Sequence, residues 1–288
     1  MDMHAVLEIV TRSDPGMVRS NNEDSVMANP VSGFAVLADG MGGYNAGEVA
    51  SGMATAMLGT ELERAFNERA PSNRDQAGRY WAEVALETEM ARVNGAIYQA
   101  AQSQPQYAGM GTTLVVAVFH DNKVTVGHIG DSRLYRLRGD DFTQITRDHS
   151  LLQEQIDSGL ITPEQARHSQ NKNLVTRAVG VDPEVAAEIH NHDVQAGDVY
   201  LFCSDGLNDM VEDDEIGMTL GALAANLDLC ATQLIQMAND NGGRDNVSVI
   251  LVKVKGEFPV ARPWWSHAFD WSKCCRPQGL RRTHNMAN

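Results

Sequence analysis

Cysteine is scarce in this chain, and the four present show no pairing pattern. No Cys-x-x-Cys occurs, and adjacent Cys274 and Cys275 cannot easily bridge each other, so a disulfide framework is not expected. A reducing cytosol fits. Long apolar runs are also missing. None approaches about 18 residues, and no basic segment followed by an apolar one opens the chain, so neither export nor a transmembrane segment is expected. Basic charge is in deficit: 23 Lys and Arg against 38 Asp and Glu leave a formal charge of −15. A phosphate backbone is held by a basic face, so nucleic acid is excluded as an expected partner. An acidic protein can still take phosphate locally, through a metal and an arginine.

What is present is enough for a folded enzyme. The chain has 288 residues, 43% of them hydrophobic, which suits one large domain or two ordinary ones with a sizeable core. Short acidic motifs recur where strands should end: Arg19–Asn22–Glu23–Asp24, Asp39–Gly40, Gly130–Asp131–Ser132–Arg133, Ser204–Asp205–Gly206 and Arg244–Asp245–Asn246. A carboxylate just past a buried apolar run is held rigidly by the sheet yet reaches its solvent-facing edge. Such acids gathered at one edge destabilise a fold unless hard divalent cations occupy the pocket. The pattern points first to a metal enzyme.

Residues 5–12 and 33–38 have strand patterning, and 47–70 and 76–102 carry apolar residues at helical spacing, separated by the loop signal Pro71-Ser-Asn73. Three β-rich runs follow, 112–119, 123–129 and 133–138, with connections so short that an antiparallel meander is expected. Residues 146–185 break the rhythm and form a small insertion. Within it Thr162-Pro163-Glu164-Gln165 offers an N-cap, a first-turn proline and a glutamine at the third helical position. Strands return at 188–192, 199–203 and 247–254, with a helix over 227–239. Runs of strands interrupted by helix pairs give an α+β layered domain over residues 1–255. The remainder, 256–288, is a basic tail with Trp264, Trp265 and Trp271: from Lys255 onward six Lys and Arg face two Asp and Glu. It is either an extension or a contact for a partner or membrane surface.

Seven motifs now stand in order: Val18-Arg-Ser-Asn-Asn-Glu-Asp24, Ala38-Asp-Gly-Met-Gly-Gly43, Gly111-Thr-Thr113, Ile129-Gly-Asp-Ser-Arg133, Asp148-His-Ser150, Cys203-Ser-Asp-Gly-Leu207 and Gly243-Arg-Asp-Asn-Val247. In that order the chain resembles the metal-dependent protein phosphatases, in particular the bacterial type 2C Ser/Thr phosphatases. The resemblance covers roughly residues 6–254. It implies two stacked antiparallel β-sheets flanked by helices, a four-layer α/β/β/α sandwich, with 146–185 as a flap insertion that contacts substrate. It also implies two Mn²⁺ or Mg²⁺ ions and a metal-activated water as nucleophile.

By the same resemblance Asp39 bridges the two ions, the Gly40 carbonyl, Asp205 and Asp245 are further ligands, and Asp131 with Asp205 holds a third, weaker ion. Glu23 and Asp24 act on metal-bound waters from the outer shell. Arg19 matches the arginine that grips substrate phosphate, which suits its two-pronged fork; the bland alternative is a surface ion pair. Each Asp also has a plain reading as a turn former. Arg133 and Arg244 are expected to hold carboxylates in place. One departure concerns the proton donor. Many eukaryotic relatives carry a histidine soon after Asp-Gly, whereas here Met41 and Tyr44 follow, so the donor to the leaving alkoxide stays unassigned. His149 and His168 suit packing or capping, His128 a sheet position, and Cys203 a buried strand without a phosphate-cradling loop.

The expected activity is hydrolysis of phosphoserine and phosphothreonine in proteins, by a cytoplasmic monomer that opposes a cognate Ser/Thr kinase. The rival is a non-catalytic phosphatase-like binding or scaffold module, which a lost ligand position would have favoured. Every expected position is filled.

Overall fold

The apolar runs of this chain are continuous rather than alternating, and the layering explains why. The computed structural model describes residues 3–43, 46–162, 165–166 and 174–258. One sheet runs in the order β1 (Leu7–Asp14), β11 (Val247–Val254), β10 (Val199–Cys203), β7 (Arg133–Arg138), β8 (Asp141–Gln144). The other runs β2 (Asp24–Asn29), β3 (Phe34–Met41), β5 (Leu114–His120), β6 (Lys123–Ile129), β9 (Glu188–Asp193), with β4 (Gly111–Thr112) paired to β3. The strand pairings are antiparallel throughout.

Three apolar cores separate four layers. Between the sheets lie Leu37, Val115, Phe119, Leu134, Tyr200, Phe202 and Ile250. Outside the second sheet, α1 (Ala46–Glu68) and α2 (Trp81–Ser103) pack Leu58, Leu62, Leu86 and Met90 on Val36 and Val116. Outside the first sheet, α5 (Asp213–Leu223) and α6 (Leu227–Asp240) pack Ile216, Leu220 and Leu234 on Leu201, Val249 and Leu251. Successive side chains of β5 therefore enter different cores, and every one of its residues is buried. Fully buried side chains of this size contribute roughly 1.5–3 kcal/mol each, so the layers are held chiefly by apolar burial.

The expected α+β sandwich is present, with local corrections. The expected meander is split. β5 and β6 pair, but β7 pairs with β10 in the other sheet. Gly130 makes the crossing: its φ is +104°, and a Cβ there would lie 2.7 Å from Thr113 Cβ. A three-residue connection can equally close a hairpin or step between layers, and the sequence alone does not separate the two. β2, β8 and α5 carry no clear sequence pattern, and α2 starts at Trp81 because residues 76–80 form a turn. In the insertion, α3 (Leu151–Asp157) is capped by Ser150, and Thr162 and Gln165 exchange both capping-box hydrogen bonds (2.9 and 3.3 Å). Phe258, the last described residue, is buried in the inter-sheet core, and its N–H donates to Asn122 Oδ1 (3.0 Å). The Trp-rich part of the tail and His168 lie outside the described residues.

Candidate metal centre

The acidic motifs meet at one edge of the sandwich. Asp39 stands near the end of β3 directly opposite Asp24 on β2. Asp131 occupies the crossing between β6 and β7, Asp205 begins the helical turn α4 (Asp205–Asn208) after β10, and Asp245 precedes β11. A cleft of about 250 Å³ is lined by Arg19, Glu23, Asp39, Gly40, Thr113, Asp131, Asp205, Asp245 and Asn246. Every site residue picked from the sequence lines this cleft except Asp24, which stands beside Asp39 across the β2–β3 pair. A second cavity of about 250 Å³ adjoins it through Asp131 and Asp205, and is lined further by Arg133, Asp148, Asp209 and Asp213.

The backbone that carries Asp39 is fixed from three sides. Asp39 N–H donates to Thr113 Oγ1 (3.0 Å), while its carbonyl accepts from Thr113 N (2.8 Å) and Thr112 Oγ1 (2.8 Å). Thr113 Oγ1 also contacts Ser132 Oγ at 2.7 Å, tying this strand end to the turn that bears Asp131. Close packing requires glycine at position 40: a Cβ there would sit 2.2 Å from Gly47 O and 2.5 Å from Glu23 O. Strand and helix backbones simply meet at that point.

Electrostatics make the cleft costly as bare carboxylates. Burial, reinforced by Asp24, Asp205, Asp131 and Asp245, pushes Asp39 well above the usual carboxylate range. Asp205 is raised by burial and then by Asp131, Asp209 and Asp245. Burial lifts Asp24 to about 6 against hydrogen bonds from Ser248 and Ser204. Burial likewise lifts Asp131 to about 6, with Asp148 next in weight. Glu23 rises too, from burial. Among the lining residues Arg19 is the one cation; its half-exposed guanidinium rests on Asp245 at 2.6 Å. The ion pair anticipated as the bland alternative therefore exists, but it sits at the mouth of the cleft.

Asp24 Oδ1 is buried and lacks a hydrogen-bond partner, while Oδ2 accepts from Ser204 Oγ at 2.8 Å. An orphaned carboxylate oxygen among oxygen donors with depressed acidity is what a hard divalent cation relieves. The residues present therefore fit Mn²⁺ or Mg²⁺. The lining carries no thiol or imidazole and one soft thioether, Met41, against five carboxylates, and Cys203 is buried in β10 with its thiol pushed far up by burial.

Three residues that position the site were not singled out in the sequence. Asn246, buried, accepts Glu23 N–H on Oδ1 (2.8 Å) and donates to Pro15 O (3.0 Å) and Asn21 O (2.8 Å). It clamps the loop carrying Arg19 and Glu23 to the start of β11. Ser204 and Thr113 hold Asp24 and Asp39. All three sit inside the quoted motifs, and only their short polar side chains beside a ligand-like Asp could have signalled them. Arg133 does hold a carboxylate, that of Asp148 (3.0 and 2.7 Å), rather than one in the cleft; Arg244 is exposed. His128 and His149 are buried and hydrogen-bonded to backbone.

The profile of the family described as Protein phosphatase 2C matches residues 18–248. The serine/threonine protein phosphatase PstP of Mycobacterium tuberculosis is 39% identical over 251 residues, 86% of this chain and 45% of the relative. This chain thus spans less than half the length of that relative. Protein phosphatase PhpP of Streptococcus pneumoniae is 36% identical over 254 residues, 87% of this chain and 99% of the relative. The crystal structure of the M. tuberculosis phosphatase superposes with a TM-score of 0.77 at 39% identity, over 87% of this chain and 99% of that one. The catalytic domain of PstP in complex with two manganese ions superposes at 0.74 and 38% identity, over 87% and 99%. The fold, the acidic cleft and these matches together lead to one conclusion: the chain belongs to the protein phosphatase 2C family.

Proposed function

We propose that this chain hydrolyses phosphoserine and phosphothreonine in proteins, using Mn²⁺ or Mg²⁺. The convergence of Asp39, Asp131, Asp205 and Asp245 with Arg19 in one cleft carries the reading. Asp39 would offer an oxygen to each of two ions, and the Gly40 carbonyl, Asp205 and Asp245 would supply the other protein donors. Asp131 with Asp205 would hold a third. When bound, such ions supply a water acidic enough to ionise near neutral pH and neutralise charge on the phosphoryl oxygens.

The chain's own residues do the rest. Glu23 and Asp24 orient water from the outer shell, Asp24 being fixed by Ser204. Arg19, on a loop pinned by Asn246, offers a two-pronged grip to a tetrahedral anion, which orients phosphorus for in-line attack and adds a positive charge as the leaving oxygen departs. Substrate choice belongs to the insertion 146–185, residues 1–255 with the buried Phe258 carry the catalytic fold, and the basic tail beyond it serves recruitment. The partners are phosphorylated Ser/Thr proteins and a cognate Ser/Thr kinase; the chain acts as a cytoplasmic monomer. Among the described residues no helix is long and apolar enough to cross a membrane.

The test is phosphopeptide turnover across Mn²⁺, Mg²⁺ and chelator, repeated on Asp39→Asn and Asp245→Asn. Near-complete loss in both variants with the fold retained is expected. A wild-type chain that binds phosphopeptide but never turns it over would favour the non-catalytic binding module instead.

A further inference from the structure

The insertion leaves and rejoins the sheet edge beside Asp131, and one side chain touches both legs. We propose that His149 is a positioning residue: one ring nitrogen holds the Gly130–Asp131 turn, and the other holds Glu188 at the start of β9, which also pairs with Arg177 on the returning leg of the insertion. The inference rests on the phosphatase reading only for the role of Asp131.

His149 is 5% exposed. Its backbone N–H donates to Gly130 O (2.9 Å), and its Nδ1 accepts from Gly130 N–H (3.1 Å), so the peptide groups on either side of Gly130 Cα are both held by one residue. Because Nδ1 accepts, the neutral ring carries its proton on Nε2, which faces Glu188 Oε1 at 3.1 Å. Arg177, on the returning leg, approaches the same carboxylate at 3.5 Å. Thr176 N–H donates to His149 O (2.8 Å), and Leu151 N–H to Leu174 O (2.9 Å). Gly130 in turn abuts Thr113, which fixes Asp39. A continuous set of contacts therefore runs from Glu188 and Arg177 through His149 to the turn bearing Asp131.

The donor atoms of His128, His149 and Glu188 lie within 4.8 Å of one another, which raises a metal site as the alternative. Ring geometry argues against it. The two imidazoles stack at 4.8 Å with planes 20° apart, so their in-plane lone pairs lie in separate, nearly parallel planes and do not readily converge on one ion. His149 Nδ1 is committed as an acceptor, and binding an ion at Nε2 would demand an imidazolate. His128 Nε2 is likewise engaged by Arg147 O at 2.8 Å. The cluster is a hydrogen-bonded tie.

The two arms can be cut separately in the full chain. Asparagine places an oxygen near the position of Nδ1, and glutamine places an amide near Nε2. His149→Asn keeps the Gly130 arm: Mn²⁺ affinity by calorimetry should stay within about twofold of wild type, while amide exchange over 174–179 accelerates. His149→Gln keeps the Glu188 arm: Mn²⁺ affinity should fall about tenfold, the usual cost of removing an outer support of a metal site, with exchange over 174–179 unchanged. Equal Mn²⁺ affinity in both variants, or equal loss in both, overturns the proposal. Neither readout needs turnover. A wild-type chain that binds Mn²⁺ and obeys this split without hydrolysing phosphopeptide would sink the phosphatase reading and leave the tie standing.

Discussion

Asp131→Asn in cation-free protein probes the physics of the cleft without any assay of activity. Burial, with Asp148 next, raises the Asp131 carboxyl to about 6 from an ordinary 3.8. The folded chain then holds a proton that the unfolded chain has released. Stability therefore falls as pH climbs from about 4 to 6 and stays low above that. At 1.36 kcal/mol per unit, this upward shift of Asp131 costs the fold about 3 kcal/mol at pH 7.5 and about 1 kcal/mol at pH 4.5. Asparagine has the same shape and no charge to desolvate. In chelator, Asp131→Asn should thus be more stable than wild type, and its advantage should grow by about 2 kcal/mol between pH 4.5 and 7.5. Comparing the two chains cancels groups that move the other way, such as His120, which burial lowers to about 4. Urea unfolding at each pH, extrapolated linearly, measures the difference. Saturating Mn²⁺ should reverse the order, because only wild type keeps an anionic carboxylate there, and the neutral amide oxygen of Asn is a weaker donor to a divalent cation. An advantage independent of pH, or a wild type more stable than the variant in chelator at pH 7.5, would refute the reasoning.

Gly40→Ala forces a methyl within 2.2 Å of Gly47 O and should cost about 3 kcal/mol, seen as a lowered melting temperature; an unchanged melt would contradict that close approach. Asn246→Ala removes three hydrogen bonds from a buried amide, so about 3 kcal/mol should be lost in urea unfolding, together with a raised KM as the Arg19 loop loosens. Arg19→Ala should raise KM for p-nitrophenyl phosphate by roughly tenfold, and Lys should restore only part, since a point charge replaces a fork. A full rescue by Lys would show that charge alone matters.

Much of the cleft could be read from the chain because each acid follows an apolar run that only a buried strand explains. Val199–Cys203 and Val247–Val254 have no other plausible state, so the positions of Asp205 and Asp245 were set by their neighbours. β2 hid because all six of its residues are half-buried and it lies at a sheet edge, which erases alternation. α5 hid behind Gly217 and Gly221, poor helix formers; Gly217 packs where a Cβ would lie 3.0 Å from the Phe142 ring. The layer change at Gly130 needed three-dimensional information, since a positive φ steers the chain without altering its composition. Asn246 looks like any turn asparagine until its three backbone partners are seen.

The central claim is that carboxylates from five stretches of chain build one site for two divalent cations on which phosphate hydrolysis depends. Mn²⁺ titration of chelator-stripped protein by calorimetry, with Asp39→Asn alongside, tests it most directly. Two tight Mn²⁺ per wild-type chain, lost in the variant along with phosphopeptide turnover, is the predicted result. Turnover that persists in excess chelator, or an Asp39→Asn chain that still binds both ions, would contradict it.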